Sequence, residues 1–179
     1  MEKEAYQFKP VDDKTWPDLV KLFEHKGGPS YCWCMAWREL DNNDRSDNKA
    51  KKNALKSQVD GKIPIGLVGY FDDEPVAWCS VGPRESFRDL GGDDKLENVW
   101  SITCFFIRRD KRKQRLTEQL IKEAAIYAKK HGAKHMEAYS VDPDSPSYRF
   151  MGFKPLFEKM GFNYRQKAGS RRHVMVFHL

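Results

Sequence analysis

Residues 99–141 read VWSITCFFIRRDKRKQRLTEQLIKEAAIYAKKHGAKHMEAYSV, and their pattern changes twice along the way. The first nine are β-branched and aromatic without polar alternation, as expected of a strand covered on both faces. Leu116, Leu120, Ala124, Tyr127 and Ala128, with Ile121 beside them, share one side of a helix that ends at Lys129-Lys130-His131-Gly132. Ala133–Val141 is a second apolar run. A strand, a helix and another strand make a β-α-β crossover with parallel strands. At the junction, six of the eight residues from Arg108 to Arg115 are Arg or Lys.

Three explanations compete for that basic run: an anion site, a nucleic-acid patch and a solvated turn. Its position favours the first, because a helix N-terminus repels cations and attracts anions. A nucleic-acid surface would show a long basic stripe with interleaved aromatics. Here the run carries no aromatic, and Lys49–Lys52 and Arg171–His173 are distant in sequence. No helix-turn-helix, zinc-finger or RRM signature accompanies it.

Outward from the crossover, Tyr6–Val11 alternates weakly as a first strand. Thr15, with Asp18 three residues on, resembles a capping arrangement for a helix over WPDLVKLFEHKGG, with Trp16, Leu19, Val20 and Phe23 on one face. A polar helix is expected over Asp47–Val59. IPIGLVGYFDDEPVAWCSVGP reads as a hairpin turning at Asp72-Asp73-Glu74, followed by the long polar loop PRESFRDLGGDDKLEN. Beyond the crossover come a turn-rich link, a short helix in FKPLFEKMGF closed by Gly161, and two strands around KAGS. The order β-α-α-β-β-β-α-β-α-β-β describes a single α/β domain over 1–179 with a mixed sheet.

The balance of 40% hydrophobic and 32% charged residues is that of a globular protein, and a net charge of +6 permits polyanion binding without requiring it. No run approaches the roughly 18 apolar residues of a spanning helix. The start, MEKEAYQFKPVDD, lacks a secretory signal, so a cytoplasmic location with reduced cysteines is expected. Cys79 and Cys104 lie in apolar runs and read as small core residues. Cys32 and Cys34 form a C-x-C in GGPSYCWCMAWREL. Metal and redox roles are both open, but no second ligand pair follows, so a packed aromatic loop is favoured and no metal is expected.

The crossover with its basic junction, then MEAYSVD, then PLFEKMGF, carry a resemblance to the GNAT superfamily of N-acetyltransferases over most of the chain. CWCMAWR, GYFDDEPVAWCSVGPRESF and VWSITCFF look like one bacterial branch of it. The resemblance implies the GNAT fold and acetyl-CoA as co-substrate. It also implies direct attack on acetyl-CoA in a ternary complex by a small amine or peptide acceptor. In that family a Q/R-x-x-G-x-G/A loop holds the pyrophosphate on backbone N–H groups and a helix N-terminus. The loop maps onto Arg112, Lys113, Gln114, Arg115, Leu116 and Thr117. Arg115 stands on the first glycine and Thr117 on the Gly/Ala. Phe157 falls where many members carry a tyrosine that protonates departing CoA, a role phenylalanine cannot fill, although a thiol of pKa about 8.5 leaves readily as thiolate.

The resemblance further implies that the backbone of Phe106 and Ile107 pairs with pantetheine. Glu137, on the strand after the crossover, is the first candidate base and Glu97 the second, the alternative for Glu137 being a satisfied structural carboxylate. Tyr148 is a candidate to approach the sulfur, against ordinary packing. The loop with Tyr31, Cys32, Trp33, Met35 and Trp37 is expected to wall the acceptor pocket, with Cys32 or Cys34 as a thiol near the acyl group. A CoA- or ligand-binding sensor without catalysis is the main alternative function, and a nucleic-acid-binding domain the third. No motif bears on membrane association, and a homodimer is compatible with the sequence.

Overall fold

A computed structural model describes residues 6–179; the first five residues, where the expected lack of a secretory signal begins, lie outside the described residues. The elements are β1 (Gln7–Pro10), α1 (Trp16–Glu24), α2 (Asn48–Asp60), β2 (Gly66–Phe71), β3 (Glu74–Pro83), β4 (Val99–Ile107), α3 (Leu116–Lys130), β5 (His135–Ser140), α4 (Lys154–Lys159), β6 (Asn163–Ala168) and β7 (Arg172–His178). Their order is the one read from the sequence. Seven strands form one mixed sheet in the order β1-β2-β3-β4-β5-β7-β6, with β4 and β5 as its parallel pair.

Local chemistry accounts for most of these boundaries. The Asp47 carboxylate accepts from Lys49 and Ala50 N–H and starts α2. Asp72 and Asp73 both take positive φ, the backbone of a tight hairpin turn, and Asp tolerates it better than most residues. The start of α1 differs from the expected Thr15–Asp18 arrangement. Thr15 makes no side-chain cap; the Asp12 carboxylate accepts from Lys14 and Thr15 N–H, and Asp18 accepts from the Tyr70 hydroxyl instead.

The sheet is covered on both faces. On one, Leu116, Leu120, Ile121, Ala124 and Ala128 of α3 pack on Leu67, Cys79, Ile102 and Met136, with Phe157 and Phe162 continuing the layer. On the other, Leu19, Leu22 and Phe23 of α1 and Leu55 and Val59 of α2 enclose Val68, Tyr70, Trp78 and Cys104. The polar loop between β3 and β4 folds Phe87 and Leu90 onto Tyr139, Val174 and Val176.

The parallel ladder is short. It runs from Val99↔His135 to Ile102↔Ala138 and stops, although both strands continue. A register shift at Ser80/Val81, opposite Cys104 and Ile102, leaves Thr103 as an extra residue in β4. Such a bulge bends its strand, and here the bend carries β4 away from β5. The freed edge of β5 is taken over by the approach to α4, where Val141 N–H donates to Gly152 O and Lys154 N–H to Val141 O. The freed edge of β4 faces a cavity.

Leu120 is fully buried at the centre of the α3 layer. Leu120→Ala is expected to lower unfolding free energy by about 2–5 kcal/mol in denaturant titration; a loss under about 1 kcal/mol would contradict the packing described.

Candidate functional site

The cavity has a volume of about 890 Å³ and reaches from the aromatic loop after α1, along Thr103–Ile107 of β4, to the start of α3. Strand alternation decides which groups of β4 face it. Arg108 N–H donates to Val76 O, so the pairs alternate and the backbone of Phe106 turns towards Trp78 of β3, whereas Phe105 and Ile107 turn towards the gap. Of the two backbone contacts expected from sequence, the structure places Ile107 on the open edge and puts Phe105 there in place of Phe106. Phe106 lines the cavity all the same.

The six basic residues part company. Arg108 pairs with Asp110 at 3.0 Å, and Lys111 lies 3.5 Å over the Phe71 ring. Arg112, Lys113 and Arg115 line the cavity together with Leu116 and Thr117. Gln114 is turned to the Tyr6 hydroxyl, which donates to its side-chain oxygen. Arg112 Nε donates to Ile107 O and so buttresses the loop against the end of β4. Lys113 and Arg115 adopt φ of +65° and +57°, a left-handed backbone that favours glycine. Arg115 is the N-cap of α3 and supplies no side-chain cap. The first N–H groups of a fifteen-residue helix therefore point at the cavity end without a capping side chain. Among the described residues the one carboxylate on the wall, Glu118, is tied to Lys159 at 2.7 Å. Backbone donors, a helix terminus and three cations suit a phosphate-bearing ligand.

The expected catalytic side chains are elsewhere. Glu137 is fully buried under the β3–β4 loop and does not reach the cavity wall. Its oxygens accept from Asp93 N–H at 2.9 Å and the Tyr139 hydroxyl at 2.6 Å, and Arg84 Nε lies 3.3 Å away. Burial first, and then the charge of Glu137, hold the Tyr139 hydroxyl protonated. Gly92 lets the loop close on this carboxylate, since a Cβ there would sit 2.3 Å from Oε2. Glu97 is exposed at the far end of β4 from the cavity. Tyr148, 37% exposed, packs at a tilt against Trp37 with ring centroids 5.6 Å apart and is not part of the wall. Phe157 is buried against Phe105 and Phe162.

The aromatic loop divides. Tyr31, 68% exposed, Cys32, Cys34, Ala36 and Trp37 line the cavity, while Trp33 and Met35 are buried in the core, Trp33 between Trp16 and Phe23. Trp33 and Met35 thus cannot wall an acceptor pocket as expected: their neighbours on α1 already enclose them.

Sequence reasoning missed Arg38 entirely. Its guanidinium is fully buried, bonded to Gln58 Oε1, Ile65 O and Ser80 Oγ, and set 4.1 Å over the Phe87 ring. Nε has no partner, and among the described residues no carboxylate pairs with it. Burial draws its pKa down to about 10, which leaves it cationic at neutral pH. The sulfurs of Cys34 and Cys104 oppose that effect and raise it. Cys34 Sγ accepts from Trp78 Nε1 at 3.1 Å. The Cys104 thiol donating to it, then the Trp78 N–H, the Arg38 charge and the Ser80 hydroxyl, lower its pKa against the opposing effect of burial. Cys104 is raised by that same contact, Cys79 by burial, and Cys32 to about 11 by burial and the charge of Cys34. A lone Arg closing an aromatic loop gave no sequence signal for this; only the fold brings it to Cys34 and Cys104.

A splayed parallel strand pair that leads to an uncapped, basic helix terminus suits an extended ligand that ends in phosphate. The family model described as "Acetyltransferase (GNAT) family" matches residues 16–162, and the chain belongs to that family. Among solved structures, the chain is similar to the acetyltransferase from Thermus thermophilus, with 18% identity, a TM-score of 0.60, and 98% of this chain and 97% of that one covered. It is also similar to the PaiA N-acetyltransferase from Thermoplasma acidophilum in complex with coenzyme A (13% identity, TM-score 0.58, coverage 98% and 99%). A third is YncA, a putative acetyltransferase from Salmonella typhimurium with acetyl-CoA (15%, 0.59, 98% and 94%). At these identities the likeness is one of fold. No curated protein matches the chain by sequence. Among the described residues no helix is long and apolar enough to cross a membrane, and no group of side chains could hold a metal ion.

Two expectations follow. Glu137→Gln strands Arg84 and should cost on the order of 2–3 kcal/mol in thermal or denaturant unfolding, somewhat less than a fully buried pair because Arg84 is partly exposed; a neutral result overturns its structural role. Thiolate reactivity of Cys34 should appear at lower pH than for an ordinary thiol, because lowering its pKa enriches the thiolate below the usual titration. Iodoacetamide alkylation mapped by peptide mass should show this inflection below that of a free cysteine peptide treated alongside, and Cys104→Ala should move it upward. An inflection at or above that of the peptide contradicts the arrangement.

Proposed function

We propose that this chain is an N-acetyltransferase that takes acetyl from acetyl-CoA and passes it to an amine. The observation that carries this reading is the open β4 edge at Phe105 and Ile107, which runs unbroken to the left-handed basic loop on α3. Pantetheine fits such an edge as an extra strand, and the Phe105 N–H facing the gap is placed to polarise an acyl carbonyl. Arg112, Lys113, Arg115, Thr117 and the first N–H groups of α3 would hold the phosphates. Thioester chemistry comes from the co-substrate, and the chain supplies positioning and charge.

The acceptor end is formed by Gly27, Pro29, Tyr31, Cys32, Trp37 and Phe150, and among the described residues no carboxylate lines it. That lining suits a small amine or peptide with an apolar body and gives a polycation no counter-charge. Direct attack in a ternary complex needs a base at this end, and neither Glu137 nor Glu97 stands there. The chain is read as one domain over 1–179, acting in the cytoplasm, with a homodimer compatible with the fold.

A second reading, a CoA-binding sensor without catalysis, is favoured by Arg115 at the glycine position and by buried Phe157. Calorimetric titration with CoA and with acetyl-CoA tests the cofactor, and an amine library scored by thiol release separates enzyme from sensor. Absence of saturable CoA binding below the millimolar range sinks both readings.

Arg115→Gly removes a cation from the phosphate end and relieves about 1 kcal/mol of left-handed strain. It is expected to weaken CoA binding several-fold, with a shallower salt dependence, while the protein becomes slightly harder to unfold. Tighter binding would instead mean that the arginine obstructs the loop.

A further inference from the structure

The described residues provide an acyl-CoA cavity with no general acid at position 157 and no carboxylate at its acceptor end. They also provide one reactive group that the reading above leaves unused. Cys34 stands on the cavity wall beside Cys104, whose backbone adjoins the Thr103 bulge where β4 leaves β5. Four groups converge on its sulfur or on the charge beside it: the Trp78 indole N–H, the Cys104 thiol, the Ser80 hydroxyl and the buried Arg38 guanidinium. Cys104 also lies 3.8 Å from Phe105 O, so the thiol pair sits against the open edge of β4. Thr103 Oγ1 donates to Ser80 Oγ at 2.9 Å, which links the bulge itself to the cluster.

A buried guanidinium without a carboxylate is costly unless some other anion faces it. Cys34, which lines the cavity and accepts from the Trp78 N–H, is the group whose thiolate would supply that anion. A thiolate is also the nucleophile suited to a thioester, because attack and departure exchange sulfur for sulfur and need no proton delivered to the leaving group.

Resting on acetyl-CoA as co-substrate, we infer that Cys34 is a catalytic nucleophile that carries the acetyl group between CoA and the acceptor amine, in place of direct attack. In the first step the Cys34 thiolate adds to the acetyl carbonyl, the carbon–sulfur bond to CoA breaks, and CoA departs as thiolate. In the second, the neutral amine attacks acetyl-Cys34, the new amide forms, and Cys34 returns as thiolate among its donors. The proton lost by the amine balances the one taken up by the CoA thiolate. Neither step calls on an acid at Phe157 or a carboxylate base. The donors that hold the resting thiolate are the same ones that receive it again when the amide forms, so the leaving group of the second step is pre-stabilised.

The partial reaction can be measured without knowing the acceptor. The full chain is incubated with acetyl-CoA and isotopically labelled CoA, and label entering acetyl-CoA is followed. Intact mass and peptide mapping then look for one hydroxylamine-labile acetyl group on Cys34. Exchange in the parent protein, its loss by on the order of a hundredfold or more in Cys34→Ala and Cys34→Ser, and its retention in Cys79→Ala, whose thiol lies in the α3 layer, are the expected results. CoA binding by calorimetry is run on every variant. Intact CoA binding with neither exchange nor acetyl-Cys34 in the parent protein overturns the covalent relay and leaves the acetyltransferase reading standing. Absence of CoA binding in the parent protein removes that reading and the relay with it. Mapping on the parent chain keeps the test decisive if a Cys34 variant fails to fold.

Discussion

The structure turns on the point where β4 and β5 stop pairing. A parallel ladder loses a row of backbone hydrogen bonds when it opens, and the loss is tolerable only if the freed groups find partners. On the β5 side they do, within the chain, through Gly152 and Lys154. On the β4 side Phe105 and Ile107 face a cavity, where Arg112 Nε donates to Ile107 O and the Cys104 thiol to Phe105 O, so side chains and not a neighbouring strand meet this edge. One extra residue, Thr103, produces this asymmetry. It leaves an extended edge that an extended ligand can complete, and it aims that edge at the N-terminus of α3. The basic loop and the aromatic loop then lie at opposite ends of one channel because each adjoins an end of the same freed segment.

The loop at α3 shows how a backbone can outlast the residue that usually permits it. Glycine takes left-handed φ without steric cost, whereas a side chain there costs on the order of 1 kcal/mol. Lys113 and Arg115 both carry that cost. What each returns is a positive charge at a site where the helix dipole already favours anions. The exchange trades a lower-strain cradle for a more cationic one, and the cations are left available because Glu118, the nearby carboxylate, is engaged by Lys159.

The sequence carried the element order and the crossover clearly, since both rest on periodicity and on turn residues. Leu116, Leu120, Ala124 and Ala128 lie where the helical spacing puts them, and Asp72-Asp73 turns the hairpin as its composition suggests. The basic junction was legible for the same reason: it is local. The side-chain constellation was not. Glu137 lies on the strand the resemblance pointed to, but strand alternation and the β3–β4 loop turn it to Arg84, Asp93 and Tyr139. Trp33 and Cys34 are adjacent in sequence, and one is core while the other is cavity wall, because both take positive φ in a loop where no period of two or 3.6 applies. Arg38 finds Gln58 from α2, Ile65 before β2 and Ser80 from β3, three partners that no local pattern links.

Under the relay proposed for Cys34, that last residue also accounts for how the site would work without a carboxylate base or a tyrosine acid. A carboxylate base and a tyrosine acid act by moving protons at the moment of reaction, and each must be within hydrogen-bond reach of the reacting atoms. A fixed buried cation works differently. Arg38 exerts its field before substrate arrives, its orientation set by Gln58, Ile65 and Ser80 and its face covered by Phe87. Water that would screen it is excluded, so its influence on nearby sulfur is larger than at the surface. The desolvation it suffers is met during folding, by the packing of α1, α2 and the sheet around it, and not during turnover. Chemistry in which negative charge passes from sulfur to sulfur gains most from such a preset field, since the charge changes bearer and never needs a proton to do so. The aromatic loop thus joins core to chemistry. Trp33 and Met35 lock it into the interior, and that anchorage holds Cys34 against Trp78 at the open strand edge.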